Sequence, residues 1–150
     1  MSTPANMPKT VTIYIDGSCL RNGQPGATAG WSFLVDDGIK TARYGKLPGE
    51  LQTNNIYMAL RFVARVAHKG IKARLLMDSR LVYDGLTGAA SRKANRDLWG
   101  LIEDLCAKVN TNIESIEYVP REENVLADKY ARKGARALII PHEGLVEVVE

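Results

Sequence analysis

The sequence predicts an α/β domain: a mixed sheet of about five strands, three antiparallel followed by parallel ones, flanked by helices. Three observations carry that expectation. Runs rich in β-branched and aromatic residues come first, separated by turn signals. A stretch with helical apolar periodicity follows, and beyond it short apolar strands alternate with helical segments. The chain has 150 residues, which favours one domain with a real hydrophobic core.

In order, MSTPANMPKT (residues 1–10) is polar and reads as a disordered arm ahead of a domain spanning 11–138. VTIYID (Val11–Asp16) is the first strand, and WSFLVDDG (Trp31–Gly38) is a second that runs into a turn. Asp37-Gly38 is a hairpin signal, which makes IKTARYGKL (Ile39–Leu47) an antiparallel third. From Ile56 to Lys69 the period changes: Leu60, Val63, Ala64 and Ala67 make one apolar face, and Gly70 ends the helix. ARLLMD (Ala73–Asp78) is a short strand. A short helix from Ser79 and a longer one over about Asn95–Val109 follow it. IESIEYV (Ile113–Val119) is a further strand, and a last helix runs from near Glu123 to about Ala137. Residues 139–150 form a tail, in which LVEVVE (Leu145–Glu150) is either a strand or disordered.

Composition narrows the function classes only a little. A net charge of +3 and a pI near 8.9 permit a polyanionic partner without demanding one. Cys19 and Cys106 fit no metal-ligand spacing and read as small buried thiols, with a disulfide between them left open. No apolar run is long enough to span a bilayer and the start lacks a signal-peptide core, so a cytoplasmic, monomeric protein is the default expectation.

Three carboxylates stand where such a sheet would gather them. Asp16 closes the first strand, Asp78 closes the fourth, and Asp128 lies in the first turns of the last helix. Singly, each has a simple structural reading: a turn at Asp16-Gly17-Ser18, a helix cap at Asp78-Ser79, an ion pair between Asp128 and Arg132. Taken together, in an architecture that collects ligands near strand ends, they read as one site. Three adjacent carboxylates repel unless a cation neutralises them, and oxygen-only ligands point to Mg²⁺ or Mn²⁺ and metal-assisted phosphoryl chemistry.

These segments resemble the type 1 ribonuclease H family over about Val11–Arg136. IDGSCLRNGQPG (Ile15–Gly26) is similar to its first motif and TNN (Thr53–Asn55) to the opening of its first helix. MDSRLVYDGLTG (Met77–Gly88) resembles its DS motif, NRDLW (Asn95–Trp99) the start of its next helix, and VPREENVLADKYA (Val119–Ala131) its final motif. The resemblance implies a ribonuclease H-like fold and cleavage of the RNA strand of an RNA/DNA hybrid, with divalent metal held by four carboxylates. Three of the four carry over as Asp16, Asp78 and Asp128. By the same resemblance Asn22, Thr53, Asn54 and Asn55 contact the hybrid, with Ser79 and Arg80 close by. Amide side chains and backbone groups suit a reader of the 2′-hydroxyl.

The fourth carboxylate is missing. The family places a Glu three residues after TNN and three before an Ala-Leu pair; here TNN is followed by Ile56-Tyr57-Met58 and then Ala59-Leu60. Met58 or Ile56 takes the position, depending on the register, and neither ligates a hard cation. The two-residue shortening turns a helix by about 200°, so no local register restores the acid. Glu50, on the loop ahead, reads as solvated rather than as a replacement. Two divalent cations, three carboxylates and a scissile phosphate still balance in charge, which leaves hydrolysis possible. Weakened, Mn²⁺-favouring activity is the expectation, with a non-cleaving hybrid or double-stranded RNA binder of the same fold as the alternative. Arg121-Glu122-Glu123 stands in the final loop where the family often has a His, and only Arg92, Lys93 and Arg96 occupy the place of its basic protrusion.

Overall fold

The structure is a computed structural model and describes residues 9–21, 25–47, 71–87, 100, 104, 113–138 and 144–149. A six-stranded sheet organises them, in the order β5-β4-β1-β2-β3-β6. β1 is Lys9–Leu20, β2 Thr28–Asp36, β3 Lys40–Leu47, β4 Ile71–Met77, β5 Ile113–Tyr118 and β6 Leu145–Val149. Two helices are described, α1 (Arg80–Thr87) and α2 (Val125–Arg136), with a single 3₁₀ turn, Arg121–Glu123, just ahead of α2. β1, β2 and β3 form the antiparallel meander, and β4 and β5 add in parallel on the other side of β1. The expected helices at 56–69 and 95–109 lie outside the described residues.

Three expectations are corrected. The sheet has six strands rather than five, because Leu145–Val149 of the tail pairs antiparallel with β3 from Lys40↔Val149 to Tyr44↔Leu145. β1 begins at Lys9, where it pairs with Ile71, two residues ahead of the expected start. It also does not close at Asp16: Gly17–Leu20 continue the ladder against Thr28–Trp31, so Asp16 lies within the strand, opposite Ser32. The parallel pairing with β4 does stop earlier, at Tyr14↔Leu76.

The two-residue period of the strands sorts their side chains onto two faces. Ile13, Ile15, Leu75 and Met77 are fully buried on one face. On the other, Leu34, Ala42 and Tyr44 pack with Tyr130 of α2, and Tyr14 joins them. α2 docks on this second face at backbone distance. A Cβ added at Gly30 of β2 would stand 2.0 Å from the Ala131 carbonyl oxygen, and one at Gly134 2.1 Å from that of Gly45. Thr28 and Ser32 donate their hydroxyls to the carbonyls of Ala135 (2.9 Å) and Ala127 (2.5 Å), and Lys46 Nζ donates to that of Ala137 at 2.6 Å. These bonds fix both the height and the rotation of α2. β6 is tied to the same helix: Glu147 accepts from Tyr44 and, at 2.6 Å, from Lys133 Nζ.

Candidate active site

Residues directly opposite in neighbouring strands share a face, so the side of the sheet that carries Tyr14 also carries Leu76. Two residues on, Asp16 within β1 and Asp78 just past the end of β4 follow on that face. α2 covers that face, and Asp128 falls in its first turn. Three separate segments therefore deliver their carboxylates to one cleft of about 550 Å³, which Ser79, Arg80, Arg121 and Arg132 also line.

Asp16 is the buried member, 7% exposed, and one of its oxygens accepts the Gly17 N–H at 2.9 Å. Burial first, then the charge of Asp78 and the proximity of Asp128, push its carboxyl up to about 8, against the opposing pull of that N–H. Asp78 is also raised, chiefly by burial; the Asn124 amide and the Arg121 charge pull it back, and Asp128 adds to the rise. Asp128 meets the Arg132 guanidinium at 3.1 Å, the ion pair that its spacing offers, while lining the same cleft as Asp16 and Asp78.

Asn124 is a residue that sequence reasoning missed. It precedes α2 and is of a favoured capping type, yet its side chain makes no capping bond. Its Nδ2 instead donates to the buried carbonyl of Ile15 at 3.0 Å, which ties the entry of α2 to β1 beside Asp16. Ser79 caps α1 through its hydroxyl, which accepts the Val82 N–H at 3.4 Å. Arg80 pairs with Asp84 at 3.2 Å and lies over the Tyr118 ring, 5.3 Å from its centroid. Cys19 is a half-buried thiol at the cleft rather than a core residue. Asn22, Glu50, Thr53, Asn54, Asn55, Ile56, Met58, the basic segment 88–97 and Cys106 lie outside the described residues.

Carboxylates held above their ordinary range are neutralised either by protons or by a cation. The donor chemistry fits a hard divalent ion. Among the described residues no three His, Cys, Asp or Glu side chains stand at metal-ligating spacing. Among them, too, no helix is long and apolar enough to cross a membrane.

The RNase H family profile matches residues 8–136, which include all three aspartates. The chain belongs to the RNase H family. Among its relatives, the ribonuclease H of Trichodesmium erythraeum is 29% identical over 152 residues, covering 89% of this chain and 93% of that protein. The crystal structure of RNase H1 from the halophilic archaeon Halobacterium salinarum matches with a TM-score of 0.66 at 27% identity, over 83% of this chain and 96% of that one. LC11-RNase H1, solved in complex with an RNA/DNA hybrid, also gives 0.66, at 20% identity and over 83% and 96% of the two chains. That second likeness shows the fold. As a member of the RNase H family the protein is an endoribonuclease.

Proposed function

We propose that the protein hydrolyses the RNA strand of RNA/DNA hybrids at the cleft where Asp16, Asp78 and Asp128 converge. The observation that carries the reading is this convergence from three segments far apart in the chain, inside a fold whose relatives are ribonucleases. The similarity to a hybrid-bound RNase H1 supports the substrate class. In this reading the three aspartates hold a divalent cation, Mg²⁺ or Mn²⁺. When bound, such a cation supplies the positive charge that phosphodiester hydrolysis needs at the scissile phosphate.

The chain's own residues do the rest. The Gly17 N–H orients the buried Asp16 carboxylate and the Asn124 amide that of half-buried Asp78. Arg80, Arg121 and Arg136 give the cleft a basic rim that holds backbone phosphates, so binding is salt-sensitive. Ser79, Arg80 and, by resemblance, Asn22, Thr53, Asn54 and Asn55 contact the hybrid. Loss of the first-helix Glu leaves hydrolysis weakened and in favour of Mn²⁺, which tolerates an imperfect donor set better than Mg²⁺ does.

That same loss favours a second reading, in which the fold binds hybrid without cutting it. Incubating a hybrid labelled on each strand in Mg²⁺ and, separately, in Mn²⁺ separates the two. The enzyme reading requires shortening of the RNA strand alone, faster in Mn²⁺. Rates in Mg²⁺ equal to those in Mn²⁺ would remove the metal preference. Retained binding with no shortening in either ion would establish the binder.

A further inference from the structure

Arg80 lines the cleft two residues past Asp78, at the start of α1, and two tethers fix its guanidinium. Its Nε donates to the Asp84 carboxylate, one turn on, at 3.3 Å. Its central carbon lies over the Tyr118 ring, 5.3 Å from the centroid. The ion pair alone is an ordinary surface contact. The ring adds a second and less usual hold. Tyr118 ends β5 opposite Met77, the residue before Asp78, and is 42% exposed. Tyr83 of α1 packs against it, with ring centroids 6.0 Å apart and planes at 60° to one another. Among the described residues, no other arginine of the cleft lies over a ring.

We propose that Tyr118 is a positioning residue for the hybrid: it holds Arg80 ready to clamp a backbone phosphate beside the scissile one. The inference deepens the hydrolase reading and rests on its substrate class. A free arginine side chain loses rotamer freedom when it binds, and that loss weakens the contact. Here the fold has already imposed much of the loss. The Arg80 side chain remains 69% exposed, so a ligand can reach it, yet the ring and Asp84 limit where it goes. With Nε given to Asp84, the four N–H donors of the two terminal nitrogens remain for a ligand. They form a planar fork that matches two oxygens of a phosphate, which a lysine cannot do. Tyr118 need not touch a nucleotide; it acts through Arg80.

Fluorescence anisotropy of a labelled RNA/DNA hybrid titrated with the full chain in chelator, where hydrolysis cannot interfere, tests this. Tyr118→Leu should weaken binding about fivefold, the worth of a cation–π contact and of the side-chain freedom it restores. Tyr118→Phe keeps the ring and should bind within about twofold of wild type. Arg80→Ala should weaken binding at least as much as Tyr118→Leu, and adding Tyr118→Leu to it should weaken binding no further. A merely structural Tyr118 would cost the same in both backgrounds. Each titration is run well below the variant's own melting midpoint, and Tyr118→Thr, which keeps a strand former, carries the same expectation if the Leu variant melts early. Tyr118→Leu binding as wild type does, Tyr118→Phe losing as much as Tyr118→Leu, or an undiminished loss in the Arg80→Ala background would each overturn the proposal. Wild type that binds no hybrid refutes the substrate class and this inference with it. A hybrid bound through Tyr118 and Arg80 but cut in neither Mg²⁺ nor Mn²⁺ upholds the positioning role and refutes hydrolysis alone.

Discussion

Replacing Gly30 with alanine tests how the sheet sets the height of α2, and with it the place of Asp128. An ideal Cβ at this position would stand 2.0 Å from the Ala131 carbonyl oxygen, 2.3 Å from the Ala135 nitrogen and 3.0 Å from the Ala135 Cα. Ordinary contact begins at 3.4 Å, so the shortfall exceeds an ångström at two points. All three neighbours are backbone, and no rotamer change relieves them. The helix must move as a body, stretching the Thr28 and Ser32 bonds to its carbonyls and carrying Asp128 away from Asp16. Overpacking of this kind costs about 3 kcal/mol, the upper part of its usual range. For a domain of this length that lowers Tm by roughly 6–12 °C. Thermal melts followed by circular dichroism read the stability. Hybrid cleavage assayed well below the variant's own midpoint reads the site, and it should be depressed there too. Gly100→Ala is the control, because nothing lies within 4 Å of its added carbon. A Gly30→Ala protein melting within about 2 °C of wild type, a cost under 1 kcal/mol, would refute the close docking of α2.

Other outcomes follow from the same geometry. Asp16 is held at about 8 when folded, above the ordinary value of 3.8 that it has unfolded, so its contribution to stability is complete below the lower value and lost as pH rises toward the upper one. The metal-chelated protein should therefore weaken across that interval, Asp16→Asn should flatten the profile, and added Mn²⁺ should restore wild type alone; denaturant midpoints against pH measure all three. Asn124→Ala strands the buried Ile15 carbonyl at a cost of about 1–3 kcal/mol, and cleavage should fall with stability in paired melting and activity assays. Glu147→Ala releases β6 from Lys133 and Tyr44, for about 1 kcal/mol and a Tm lower by roughly 2–4 °C. Lys133 and then Tyr44 hold the Glu147 carboxyl below its usual range, so its contribution is present above that range and lost as pH falls through it. The gap between that variant and wild type should close in acid, as melts at descending pH would show.

The strands were legible because their β-branched and aromatic runs match the pleat, and Asp37-Gly38 marks a turn that Gly38 makes with a φ of 107°. That Asp16 and Asp78 share a cleft was expected from their places near strand ends; the register that puts them on one face, two residues beyond Tyr14 and Leu76, was not. The length of β1 was not, because Gly17-Ser18 reads as a turn and only pairing with β2 makes it strand. β6 was left open for a similar reason. Val146 and Val148 stay exposed even in place, so its order comes from β3 and from Glu147 rather than from its own apolar content. Asn124 and Arg132 carry ordinary local signals, a cap and a one-turn ion pair. Their part in the site appears only when α2 is laid across β1, a tertiary fact with no trace in spacing.

The central claim is that Asp16, Asp78 and Asp128 act as one hydrolytic site. RNA-strand cleavage of a labelled hybrid in Mn²⁺ by wild type and by the three single Asp→Asn variants tests it most directly. Each variant should lose about a thousandfold in rate, since a cation at such a site contributes roughly 4 kcal/mol, while circular dichroism shows the fold retained. A variant at any of the three positions that cuts at the wild-type rate would contradict the account.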